Sequence, residues 1–162
     1  MPACPVGGER HLTCGEIEVA RSVFGSAIQY ARVKIKRRKW WPLQPRKITM
    51  APQGDIHFHP RGTAYCDDFS QENLARQGFF IHEMTHVWQT QSRGRWYLVL
   101  NRHPFCRYDY ALRPGQNLES YGIEQQAEIV RHAFLLRNGV SVVGIGDPKA
   151  YNQLVRFEGA TL

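Results

Sequence analysis

Two histidines four residues apart, with a glutamate beside the first, stand in the run His82-Glu83-Met84-Thr85-His86. On a helix, side chains at that spacing lie one above the other, so both imidazoles can reach a single metal ion. Glu83 is turned about 100° from His82 on such a helix. There it can take a proton from water rather than ligate. Zinc lowers the pKa of a water it binds to near neutrality and so makes a nucleophile at ordinary pH. The flanking residues Phe79, Phe80, Ile81, Val87 and Trp88 are apolar, which suits a buried helix and a dry site.

A catalytic zinc has three protein ligands, so a third is required. Gln89 and Ser92 stand where metzincins carry glycine and a third histidine, which excludes that arrangement. Further along, Ile123-Glu124-Gln125-Gln126-Ala127-Glu128 places two carboxylates four residues apart, on one helical face. They sit among Ile123, Ala127, Ile129 and Val130. Carboxylates in an apolar frame need a cation or solvent, and the histidine pair upstream favours a cation. His132, four residues beyond Glu128, is the rival ligand.

An HExxH helix followed by a helix carrying E-x-x-A-E resembles the gluzincin zinc peptidases. The resemblance implies zinc as cofactor and Glu124 as the third ligand, with Glu128 accepting from the free N–H of a ligating imidazole. It also implies a zincin-like single α+β domain, with a small β-sheet, the HExxH helix and a second ligand-bearing helix. Zincins often place Tyr, His or Arg beside the metal for the developing oxyanion. Tyr110 and Tyr121 are the catalytic candidates here, with Tyr108 and His103 as others. The segment 55–59 is the strand edge on which a substrate backbone would lie. The stretches KWWPLQPR, MAPQGDIHFHP, FFIHEMTHVWQ, YDYALRPG and YGIEQQAEIV together resemble small bacterial Vgr-related proteins, over about residues 12–138. These are described as zinc peptidases and linked by name to type VI secretion. His132-Ala133 stands where that family often has an Asp-Tyr pair. The implied partners are a peptide or protein substrate, and a type VI secretion component or immunity protein.

Several elements must hold these residues. Asp67-Asp68-Phe69-Ser70 reads as a helix start, predicting a helix over 71–92 that ends before Gly94. Gly78 inside it marks either close packing or a break. A second helix is predicted over 121–137, ending at Asn138-Gly139, and a weak one over 148–157. Residues 93–118, with Pro104, Pro114 and Gly115, read as irregular. Thr13-Cys14-Gly15-Glu16 has the form of a capping box opening a first helix. Strands are predicted over 32–37, 46–51 and 55–59, the last two flanking a turn at Pro52-Gln53-Gly54. Trp40-Trp41-Pro42 reads as a turn anchored by large apolar side chains. Residues 1–12 read as a loose leader before a domain over 13–162.

The 162 residues suffice for one core without disulfides or a structural metal. The four cysteines form no C-x-x-C pair, so a cysteine zinc site is not expected and reduced thiols are. No run is long and apolar enough to span a membrane, and residues 1–13 lack the apolar core of a secretory signal. Synthesis in the cytoplasm, with any export through a dedicated secretion machine, is the expectation. The net charge of +7 is concentrated in RVKIKRRK, where Arg32, Lys34 and Lys36 share one strand face. This suits an acidic or cell-wall partner; nucleic acid is not the expected one. The leading function is zinc-dependent peptide hydrolysis with Glu83 as general base, in a secreted bacterial effector. A cell-wall peptide amidase using the same site, and a non-catalytic zinc-stabilised adaptor, are the alternatives.

Overall fold

A computed structural model describes residues 4–103 and 105–161. The chain runs β1 (Glu9–His11), α1 (Cys14–Phe24), β2 (Lys34–Lys36), β3 (Ile56–His57), α2 (Leu74–Arg93), α3 (Tyr97–Asn101), α4 (Ile123–Arg137) and α5 (Pro148–Leu154). The three strands form one sheet in that order. β1 pairs antiparallel with β2, and β2 pairs parallel with β3. The architecture is α+β.

Part of the expected leader belongs to the fold. Glu9–His11 is a strand, and Arg10 reaches Glu16 with both terminal nitrogens, at 2.7 and 2.8 Å. Glu16 is fully buried and closes the predicted capping box: its N–H donates to Thr13 Oγ1, and its carboxylate accepts from the Thr13 N–H. The same carboxylate accepts from the Phe69 N–H at 3.0 Å. One buried charge thus ties β1, α1 and the turn before α2, with its lone pairs satisfied as burial demands.

The strand expected over 32–37 is shorter, Lys34–Lys36, because Tyr30–Arg32 closes a 3-10 turn before it, but its alternation holds. Val33 and Ile35 are buried while Lys34 and Lys36 face outward. Their charge is largely neutralised at home, because Lys34 and Arg38 pair with Glu9 and Lys36 pairs with Asp55. Residues 46–51 are not a strand. Only Met50 bridges to His57, across the turn that carries Gly54 at φ +91°. Gln44 closes the stretch as a loop instead, its side-chain amide donating to the Ile48 and His57 carbonyls. The bridge has a consequence for the expected substrate edge: the outward N–H and C=O of His57 are already bonded to Met50.

α2 starts later than predicted. Asp68 caps a short 3-10 turn over Phe69–Gln71, and Asn73 then caps α2 itself through the Arg76 N–H. Phe80, Ile81, Met84 and Val87 are buried completely, since α2 packs against α4 and also against α1 and the Phe69–Gln71 turn. Each such side chain contributes about 1.5–3 kcal/mol. Gly78 marks close packing, not a break: a Cβ there would lie 3.1 Å from Leu135 Cδ2 of α4. α4 begins at Ile123, where the Gln125 side chain accepts from the Gly122 N–H. The irregular stretch contains one short helix, α3, which the sequence reading did not anticipate. All four cysteines are free thiols. Among the described residues, no helix is long and apolar enough to cross a membrane.

Candidate metal centre

α2 and α4 cross so that His82, His86 and Glu124 converge. Each offers one ligand atom, these atoms lie within 4.8 Å of one another, and all three residues are buried. Glu124 Oε2 stands 3.4 Å from His82 Nε2 and 3.2 Å from His86 Nε2. The two imidazole centroids are 5.0 Å apart. Glu83 is also buried, and its Oε2 has no hydrogen-bond partner.

The outer nitrogens of both rings are engaged. His82 Nδ1 lies 2.7 Å from Glu128 Oε1, which as a carboxylate can only accept, so Nδ1 carries the proton. His86 Nδ1 lies 2.9 Å from Gln89 Oε1. The Gln89 amide orientation follows from a chain of partners. Gln126 Nε2 donates to the Tyr121 carbonyl at 2.6 Å, which leaves Gln126 Oε1 as an acceptor for Gln89 Nε2 at 3.0 Å. Gln89 Nε2 donates also to the Ile123 carbonyl at 2.9 Å. Gln89 must therefore present its oxygen to His86. Both histidines direct an Nε2 lone pair at the same point, as metal ligation requires. Sequence reading used Gln89 only to exclude another pattern and missed this function. A glutamine three residues after the second histidine of the pair, on the same helix, was the available signal.

The electrostatics ask for a cation. Burial alone opposes charge on His82, but the hydrogen bonds it donates to Glu124 and Glu128 outweigh this and push His82 up to about 9. Against its own burial, Glu124 is held well below the usual carboxylate range by His82, His86 and Arg102. A site that pulls a proton onto an imidazole will equally favour a metal ion in that proton's place. Arg102, from the residue after α3, sets its Nε 3.0 Å from Glu124 Oε1 without hydrogen-bond alignment. The Tyr108 ring lies nearly parallel to His82, with centroids 6.4 Å apart.

The remaining candidates fall elsewhere. The Tyr110 hydroxyl bonds His132 Nδ1 at 2.6 Å and the Tyr151 hydroxyl at 2.8 Å, on the far side of Glu128. The Tyr121 hydroxyl accepts from the Arg113 N–H at 2.9 Å. His132 Nε2 stands 3.6 Å from Glu128 Oε2 and is not part of the converging cluster. His103 lines the cavity beside Glu124.

The fold has a match among known proteins. The chain is similar to the effector domain of Pseudomonas aeruginosa VgrG2b, with a TM-score of 0.70 and 36% identity, over 94% of this chain and 85% of that domain. The chain belongs to the family of this effector domain. It is also 44% identical, over 138 residues, to the type VI secretion system spike protein VgrG2b of Pseudomonas aeruginosa strain PAO1. That match takes in 80% of this chain and 13% of the spike protein's length, so the likeness concerns one part of a much longer protein. No family model matches the chain.

Proposed function

We propose that the chain is a zincin-like zinc metallopeptidase acting as the effector portion of a type VI secretion spike. The observation that carries this reading is the convergence of two Nε2 atoms and one carboxylate oxygen beside a buried, unpartnered Glu83 oxygen. The donor set fits zinc: two neutral imidazoles and a carboxylate, with outer hydrogen bonds that fix both rings. Among the described residues no fourth protein ligand joins the cluster, which favours a catalytic site over a structural one.

His82, His86 and Glu124 would hold the metal. Bound there, zinc would supply Lewis acidity, acidifying a water to near-neutral pKa and polarising a peptide carbonyl. Glu83 takes the proton from the attacking water and delivers it to the leaving amine. Glu128 and Gln89 keep the imidazoles in the ligating tautomer. Arg102 and Tyr108 are better placed for the developing oxyanion than Tyr110 or Tyr121, whose hydroxyls already serve other groups.

Metal analysis and proteolysis of four proteins test this. Wild type should carry about one zinc per chain and cleave an unfolded protein. Glu83→Gln should keep zinc and lose cleavage. Glu124→Ala should lose zinc, and His132→Ala should keep it. Full turnover in Glu83→Gln would refute the base assignment. Zinc retained in Glu124→Ala but lost in His132→Ala would move the third ligand.

A further inference from the structure

The cavity that opens from Glu124 has a volume of about 510 Å³. Arg102 and Tyr108 stand at the metal end. Trp40, Trp41, Ile48, Met50 and Leu98 give the cavity an apolar wall. Trp40 is 36% exposed, Trp41 41% and Ile48 43%, so large apolar surface beside the site is left in water. A contiguous patch of that kind, rimmed by polar residues, marks a place where something binds.

The wall is also held rigid. Gln44 is buried, and its Oε1 accepts from the Trp40 N–H at 2.8 Å. Its Nε2 donates to the Ile48 carbonyl at 2.8 Å and the His57 carbonyl at 3.2 Å. A buried amide thus pins a loop whose indoles face outward, which lowers the ordering cost of binding. The sequence reading of Trp40-Trp41-Pro42 as a turn with apolar anchors is therefore incomplete, because the tryptophans anchor little of the core.

We infer that Trp40, Trp41 and Ile48 form a substrate subsite for a large apolar or aromatic side chain flanking the scissile bond. The inference rests on the peptidase reading for its meaning but not for its test. A pocket with bulky apolar walls gains affinity in proportion to the apolar surface it covers. A phenylalanine or leucine fills it; the small or charged residues of cell-wall stem peptides do not. The subsite thereby also selects protein over cell wall as substrate class.

The test uses zinc-loaded Glu83→Gln protein and fluorescent, end-blocked hexapeptides that differ only in a central Phe, Leu or Ala. Fluorescence anisotropy measures binding, and wild type is assayed for cleavage of the same peptides. The Phe and Leu peptides should bind at least about tenfold tighter than the Ala peptide. Trp41→Ala and Ile48→Ala, added to Glu83→Gln, should reduce that ratio below about threefold, with thermal unfolding unchanged. Both side chains are exposed enough for the fold to survive. Selective binding without cleavage in wild type would keep the subsite and overturn the peptidase. Cleavage with equal affinity for all three peptides would keep the peptidase and overturn the subsite. A purified stem peptide binding as tightly as the Phe peptide would also overturn it.

Discussion

Gln89→Leu removes an amide that serves His86, Gln126 and Ile123 at once. Two groups lose their partner outright: the His86 Nδ1–H and Gln126 Oε1. The Ile123 carbonyl also faces the N–H one turn on within α4, so it is not stranded. A buried group left unsatisfied costs about 1–3 kcal/mol, so the two together cost about 2–6 kcal/mol. Leucine has similar volume and recovers part of this by removing a buried amide. A net loss of roughly 2–4 kcal/mol, or roughly 5–15 °C in Tm for a chain of this size, is expected with chelator present. Zinc affinity should fall separately, by about 10–100-fold, because nothing then holds His86 in the ligating tautomer. Gln89→Glu separates the two effects. It keeps an acceptor for His86 but turns an oxygen toward the Ile123 and Gln126 acceptors, so it should destabilise while sparing zinc. Calorimetric unfolding in chelator gives the first quantity, and competition with a calibrated zinc chelator gives the second. Wild-type zinc affinity in Gln89→Leu would refute the claim that this amide sets the imidazole.

Arg10→Met strands the buried Glu16 carboxylate and should cost about 3–5 kcal/mol, read as a lowered midpoint in urea. Gly78→Ala gains about 1 kcal/mol of helix propensity but presses on Leu135; a Tm below wild type is expected, and a rise would show that Leu135 gives way. His57 is pushed down to about 4, by burial and then by Lys36, with Asp55 opposing and Arg38 adding little. Between pH 6.5 and 4 the unfolded chain binds a proton that the folded chain refuses, so stability falls as pH drops. His57→Gln should flatten that part of the Tm-versus-pH curve.

The local chemistry was the legible part of the sequence. Thr13 and Glu16 formed the box their spacing indicated, and Val33 and Ile35 turned inward as their alternation required. Glu124 and His132 could not be separated by periodicity, since they stand four residues before and four residues after Glu128 on the same helical face. What separates them is the crossing of α2 and α4, which brings Glu124 to the imidazoles and leaves His132 with Tyr110. Residues 46–51 read as a strand because they and 55–59 flank the turn signal at Pro52-Gln53-Gly54. Their fate was decided by Gln44, whose hydrogen bonds close a loop instead. Tyr108 and Tyr110 are two residues apart in an irregular stretch, where no period says which way a side chain turns.

The distance between two helices is the variable on which the candidate centre depends, and two different devices fix it. Near the start of α2, Gly78 lets α4 approach until Leu135 fills the space a side chain would take. Near its end, Gln89 crosses to the first residues of α4 through the Ile123 carbonyl and Gln126. His82 and His86 lie between these two contacts on α2; on α4, Glu124 lies within the Gln89 contact and Glu128 between it and Leu135. A close apolar contact sets how near the helices come, and a directional polar contact sets how far one slides along the other. Either alone would leave a degree of freedom. An ångström of slip would carry Glu124 Oε2 away from one imidazole and toward the other, which a site that must hold one ion by three atoms cannot tolerate. The same glutamine that sets the register also sets the His86 tautomer, so a change there disturbs position and chemistry together. That shared dependence is why Gln89→Leu is expected to act on zinc affinity and stability in one step, while Gly78→Ala, acting on spacing alone, should leave the His86 tautomer intact.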